Sequence, residues 1–187
     1  MNLKILSLVI IGVCILLPDV CYAFLEKDVH LLNMQNGLAD NTVSAVYKDK
    51  EGFIWFGTRN GLSRYDGRRI TNFERSRSYP SISNLKEVFD GVLAFVDNGV
   101  FSAFDLKKER FLSVVSSSGQ GIPSRGMLQR NDSLVWVISG SELHLMKRCA
   151  SKEGELRLRV QEKYTGWNNQ DNLLVAITYS SDKKSIC

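Results

Sequence analysis

Six arginines crowd nineteen positions of this chain: Arg59, Arg64, Arg68, Arg69, Arg75 and Arg77. A planar guanidinium offers a fork of donors that matches a carboxylate or sulfate, so such a cluster could grip a uronic or sulfated sugar. The same residues on loops and strand edges would be solvated charges that discourage edge pairing. Both readings stay open, with Arg59, Arg64, Arg68 and Arg69 as the candidate ligand-binding set. Grip on an acidic oligosaccharide by this set would weaken with salt.

Other chemistry finds little support. His30 and His144 stand apart, and no second ligand sits at metal spacing, so no metal is expected. His144 lies between Leu143 and Leu145 and would face the opposite side of a strand, toward solvent or a channel. No Ser/His/Asp order, Gly-rich phosphate loop or acid/base carboxylate pair is present, so the expectation is no catalysis and no cofactor. Asp49, Glu51, Asp66, Asp90 and Asp97 read as turn residues with local backbone roles. A net charge of +4 over 187 residues argues against a nucleic-acid partner.

The arginines sit around one element, DKEGFIWFGTRNGLSRYDG, residues 49–67. Asp49 to Gly52 is a turn whose glycine can take positive φ. Phe53-Ile54-Trp55-Phe56 suits a short buried strand, and Asn60-Gly61 predicts a type I′ hairpin. Leu62 to Tyr65 alternates as a return strand, and Asp66-Gly67 turns the chain again. Trp55, Gly57, Gly61, Tyr65, Asp66 and Gly67 could line a sugar site. The competing reading, which we favour, is blade-to-blade packing and turn geometry.

The pattern repeats. The first unit covers about 32–74, with Val43 to Tyr47 as inner strand and Arg69 to Phe73 as outer strand. In the second, about 81–115, Asn98-Gly99 reproduces the hairpin at a shift of 38. In the third, about 123–164, Trp136 maps to Trp55 at a shift of 81, and Leu156 to Val160 alternates as outer strand. A partial fourth unit covers 171–187. Four short antiparallel strands in about 40 residues is the size of a propeller blade. The expected fold is therefore all-β, about three and a half β-propeller blades in an incomplete ring.

The N-terminus reads as a secretory signal peptide, residues 1–23. Asn2-Leu3-Lys4 precedes an apolar run from Ile5 to Leu17, and Cys21-Tyr22-Ala23 offers a cleavage site. The run falls short of the ~20 residues a bilayer span needs, so no membrane span is expected in the mature chain. Cleavage after Ala23 leaves Cys149 and Cys187, which could form one disulfide; spacing does not decide it.

Residues 37–67, GLADNTVSAVYKDKEGFIWFGTRNGLSRYDG, resemble the two-component regulator propeller repeat. Gly37-Leu38, Asp49, Gly52, Trp55, Gly57-Thr58, Gly61-Leu62 and Tyr65-Asp66-Gly67 carry the match, which thins to Asn98-Gly99 and Trp136 in later units. The resemblance implies the N-terminal part of a periplasmic sensor of hybrid two-component systems in gut Bacteroidetes. Its implied ligand is an oligosaccharide, its implied output control of glycan-utilisation genes. It also implies further propeller blades as partners, with room for a homodimer of the full-length protein. Histidine kinase activity would belong to the remainder of such a protein. A secreted propeller lyase or hydrolase, or a truncated gene remnant, are the alternatives. Bare terminal faces would leave residues 24–187 marginally stable or aggregating.

Overall fold

The computed structural model of this chain describes residues 31–74 and 82–165. The compact unit that holds its secondary structure begins at Asn33. The signal-peptide segment, His30, Arg75, Arg77, Cys187 and the partial fourth blade lie outside the described residues.

A single 3-10 turn, Met34–Asn36, precedes twelve strands among the described residues. Blade 1 is β1 (Val43–Lys48), β2 (Ile54–Thr58), β3 (Gly61–Tyr65) and β4 (Ile70–Glu74), an antiparallel sheet in sequence order. Blade 2 is β5 (Ile82–Phe89), β6 (Val92–Asp97), β7 (Val100–Asp105) and β8 (Arg110–Ser116). Blade 3 is β9 (Gly126–Asn131), β10 (Leu134–Ser139), β11 (Glu142–Cys149) and β12 (Glu155–Tyr164). The fold is all-β and built of propeller blades, with the first strands β1, β5 and β9 packed in succession at the inner edge.

One connection departs from the sequence expectation. The outer strands β8 and β12 pair in parallel, from Glu155 opposite Ser113 to Leu158 opposite Ser116. Blades 2 and 3 therefore form one eight-stranded sheet, in the order β5-β6-β7-β8-β12-β11-β10-β9. Because β5 also packs on β9, this sheet nearly closes on itself. The outer edges of blades 2 and 3 are thereby satisfied by each other, which removes an aggregation hazard at that rim.

Alternation along the strands supplies the cores. Val92, Ala94 and Val96 of β6 join Val135, Val137, Leu156 and Leu158 between blades 2 and 3. Leu93 and Phe95, on the opposite face of β6, join Trp55, Leu62, Ile82 and Phe104 between blades 1 and 2. A third cluster, with Trp136 and Leu145, lies on the other face of blade 3. A central strand packed on both faces reads as a continuous apolar run, and β6 is buried at all six positions.

The hairpins correct a second expectation. At 58–61 the ladder closes Thr58 against Gly61, and only the glycine has positive φ, at +116°. Asn60 stays in ordinary space, so this turn is not type I′. The Thr58 hydroxyl, which donates to Gly61 O and accepts from Asn60 N–H, supports the turn instead. The type I′ pattern occurs one blade later, where Asn98 (φ +48°) and Gly99 (φ +77°) are both left-handed. A Cβ on Gly61 would meet Phe73 O at 2.4 Å, so this glycine serves the close approach of β4. Asp97, expected in a turn, ends strand β6 and is fully buried.

Candidate functional site

Blade 1 brings the sequence-marked residues together, but at two separate ends. Its lower end carries the β1–β2 and β3–β4 turns; its upper end carries the β2–β3 hairpin.

At the lower end Asp49 organises the first turn. One carboxylate oxygen accepts the N–H groups of Glu51 (3.0 Å) and Phe53 (2.9 Å); the other accepts the Trp55 indole N–H at 2.8 Å. Gly52, at φ +94°, lets the chain turn beneath it. The motif thereby positions Trp55, 1% exposed, to stack on Phe73 (5.6 Å between centroids) and tilt against Phe104 (5.5 Å). The role of Asp49 extends beyond its own turn, because it also satisfies a buried indole. Gly57 serves the same seam: a Cβ there would lie 2.5 Å from Ile82 Cγ2, so only glycine lets β5 approach.

A groove of about 490 Å³ opens beside this seam, where Asp49, Trp55 and Arg64 meet Glu87, Asp90 and Glu109 of blade 2. Its charges are committed to one another. Arg64 Nη1 donates to Glu109 at 2.6 Å, and Lys50 Nζ donates to Glu87 at 3.2 Å. The Arg64 guanidinium also lies 4.9 Å from the Phe53 ring centroid and 5.6 Å from those of Trp55 and Phe73. Glu87, 8% exposed, takes the Gly91 N–H as well. Its hydrogen bond and charge raise the pKa of the Lys50 ammonium. Burial, and then the Glu87 charge, raise that of the Tyr47 hydroxyl. Carboxylates outnumber cations in the lining, five to three, so an anion entering here meets net repulsion.

The β3–β4 turn lies nearby. Asp66 accepts the N–H groups of Arg68 and Arg69, both at 2.7 Å, and those bonds hold its carboxylate below the ordinary range. Gly67 (φ +96°) completes the turn, and the Tyr65 hydroxyl donates to Gly67 O at 2.8 Å. The Arg68 and Arg69 residues are exposed.

Arg59 stands at the opposite end, exposed in the upper hairpin. The five residues of β3 put roughly 15 Å between it and Arg68–Arg69, at about 3.3 Å per residue. The fold thus separates the four candidate arginines: one above, two below, and Arg64 engaged between blades.

The upper end has a polar pocket of about 460 Å³ that sequence reasoning missed. Residues 37–39 cross blade 1 here. Asn72 and Asn60 donate to Gly37 O (2.9 Å) and Ala39 O (3.0 Å), while Ala39 N–H donates to Ser63 Oγ at 3.2 Å. Leu38, 4% exposed, anchors the crossing. Asn60, Asn72 and Glu74 line the pocket. Each asparagine spends one amide hydrogen on the crossing segment and keeps another. The Gly37-Leu38 pair was visible in the sequence; Asn72 and Glu74 come from β4 and carried no local signal.

Blade 3 repeats the tryptophan without its lock. Register places Leu128 opposite Trp136 as Tyr47 lies opposite Trp55, and a bulge at Arg130 brings Asn131 to the place of Asp49, where its Oδ1 takes the N–H of Ser133 as Asp49 takes that of Glu51. The buried Trp136 Nε1 has no hydrogen-bond partner. His144, 15% exposed, is half-buried rather than open to solvent; it bonds Glu142 at 2.9 Å, beside Lys163. Cys149 is a free, partly buried thiol. Among the described residues no group of three or more His, Cys, Asp or Glu could hold a metal, and no helix is long and apolar enough to cross a membrane.

Residues 37–60 match the family described as Two component regulator propeller, so the chain carries a propeller region of that type. No curated protein matches the chain. Among solved structures, it resembles one described as the extracellular domain of a hybrid two component system, BT3049, from B. thetaiotaomicron. That match has 17% identity and a TM-score of 0.55, over 73% of this chain and 18% of the other. It also resembles the extracellular domain of a one component system, BT4673, from B. thetaiotaomicron, at 15% identity and a TM-score of 0.58 over 83% and 24%. The chain therefore spans about a fifth to a quarter of the length of these structures.

Proposed function

We propose that this chain is the periplasmic, ligand-sensing propeller segment of a hybrid two-component regulator, exported by its N-terminal signal peptide, and that its ligand is an oligosaccharide. The observation that carries the reading is the tandem of propeller blades, opened by a two-component regulator propeller repeat. Recognition, not catalysis, is the role, with glycan-utilisation genes as the controlled output and the rest of the sensor supplying the kinase.

The upper pocket of blade 1 is the part best suited to a hydroxyl-rich ligand. Side-chain amides and a carboxylate offer donors and acceptors in fixed planes, on a sheet whose residues are held by the crossing segment 37–39. Arg59 is the candidate arginine next to this pocket, so a uronic or sulfated sugar would be gripped there. Arg68 and Arg69 remain an exposed pair at the other end; Arg64 is withdrawn into its ion pair.

Calorimetric titration of the full chain with neutral and acidic oligosaccharides tests this reading. Binding without product formation, weakened by Glu74→Gln, is the expected result. Arg59→Ala should weaken acidic ligands alone, in a salt-dependent way. Turnover of a bound glycan would replace the sensor with a propeller lyase or hydrolase. Silence across the whole panel would remove the oligosaccharide.

A further inference from the structure

Glu109 closes the β7–β8 turn at φ +48°, a left-handed conformation shared, among the non-glycine described residues, only with Asn84 and Asn98. Asparagine tolerates that region because its short side chain bonds locally; glutamate has no such compensation. A residue held in an unfavourable backbone region points to a contact made elsewhere. Here the contact is identifiable. The Glu109 carboxylate leaves blade 2 and reaches Arg64 of blade 1 at 2.6 Å. Arg64 is 19% exposed, with its guanidinium over Phe53, Trp55 and Phe73, so the pair is partly withdrawn from water.

The rest of the seam explains why a link is useful at this point. Among the described residues blade 1 shares no strand pairing with blade 2, whereas blade 2 is joined to blade 3 through β8 and β12. Among the described residues, blade 1 is held on blade 2 by side-chain contacts: the aromatic cluster around Trp55, the Ser44 hydroxyl on Ile82 O, and the lower-end ion pairs. Of the two ion pairs bonded at 3.2 Å or less, Lys50–Glu87 uses a lysine with 74% exposure. Arg64–Glu109 is shorter and has the enclosed cation, Arg64 at 19% exposure, with Glu109 reaching it from the rim at 47%.

We propose that Glu109 is a positioning residue, kept in its left-handed turn because it latches blade 1 to blade 2 through Arg64. The latch fixes how the two blades meet along the groove. It also removes Arg64 from the set of arginines free to meet an external acid. This inference does not rest on the identity of any ligand.

A double-mutant cycle in the full chain tests it, with amide hydrogen exchange as readout and four proteins: wild type, Arg64→Gln, Glu109→Gly and both together. Glycine relieves the backbone at 109 in either background. If Glu109 were only a turn residue, Glu109→Gly would slow exchange equally with and without Arg64. With the latch, Glu109→Gly speeds exchange in β1–β4 roughly three- to tenfold relative to its effect in Arg64→Gln, and β9–β12 keep their rates. Should Arg64→Gln fail to fold, Arg64→Lys retains the charge, loses the fork and should show part of the same coupling. Equal effects in both backgrounds would overturn the proposal. Coupling spread evenly over all three blades would do so too, since that is global stability and not a latch.

Discussion

Blade 1 and the pair formed by blades 2 and 3 solve the same packing problem in different ways. Blade 1 holds most of the motif residues, yet its inner strand leaves Val43 38% and Val46 60% exposed. Blades 2 and 3 have lost most of the motif, yet they enclose the larger core and share a continuous sheet. The motif therefore specifies turns and one tight seam: Asp49 under Trp55, Gly57 against Ile82, Gly61 against Phe73 O. Burial needs only apolar residues at strand spacing, and the continuous run of β6 and the alternation of β12 supply those without any motif.

The contrast can be broken at its strongest point first. Trp55→Ala should cost about 3–5 kcal/mol, since it empties the seam of its largest side chain. Chemical denaturation would measure this, and an intact fold with lost ligand binding would instead mark Trp55 as a binding residue. Leu158→Ala, in the core between blades 2 and 3, should cost about 2–5 kcal/mol. Its signature differs, because exchange in β5–β12 should rise more than in β1–β4.

Two finer tests sharpen the comparison. Gly57→Ala must push Ile82 away and should destabilise by about 1–3 kcal/mol in thermal melts, whereas Gly99→Ala, with nothing within 4 Å of its Cβ, meets only backbone strain. Trp55→Phe should lose about 1–3 kcal/mol by leaving Asp49 short of a donor, while Trp136→Phe, which deletes an unpartnered N–H, should be close to neutral. Equal losses would mean that Trp136 is supported in a way the Asp49 comparison misses.

The smallest effect is a pH dependence. The Asp66 carboxylate is held below its ordinary range by the N–H groups of Arg69 and Arg68, in that order. A folded pKa below the unfolded one gives a contribution present above the ordinary carboxylate range and lost as pH falls through the folded value. Amide shifts of Arg68 and Arg69 should titrate there, and Asp66→Asn should flatten them.

Much of the fold was legible because β-structure writes itself locally. Alternation located the strands at 43–47 and 156–160, and turn glycines at 52, 67 and 99 marked strand ends. The hairpin at Asn60-Gly61 is not the type I′ turn its dipeptide predicts, because the ladder closes one residue earlier, Thr58 against Gly61, and the Thr58 hydroxyl supports that turn. The upper pocket was illegible for a different reason. Asn60, Asn72 and the 37–39 crossing are up to 35 positions apart and meet only through sheet register.

The sequence by itself determined an all-β chain of tandem blades, since period-two alternation and positive-φ glycines are properties of neighbouring residues. It also determined that the first blade carries a two-component regulator propeller repeat. Tertiary structure decided the rest: that β8 and β12 join two blades into one sheet, that Arg64 is spoken for by Glu109, and that the arginine cluster is divided between opposite ends. Those outcomes depend on which strand edges and charged groups come within a few ångströms in space, and closeness in sequence does not set that distance.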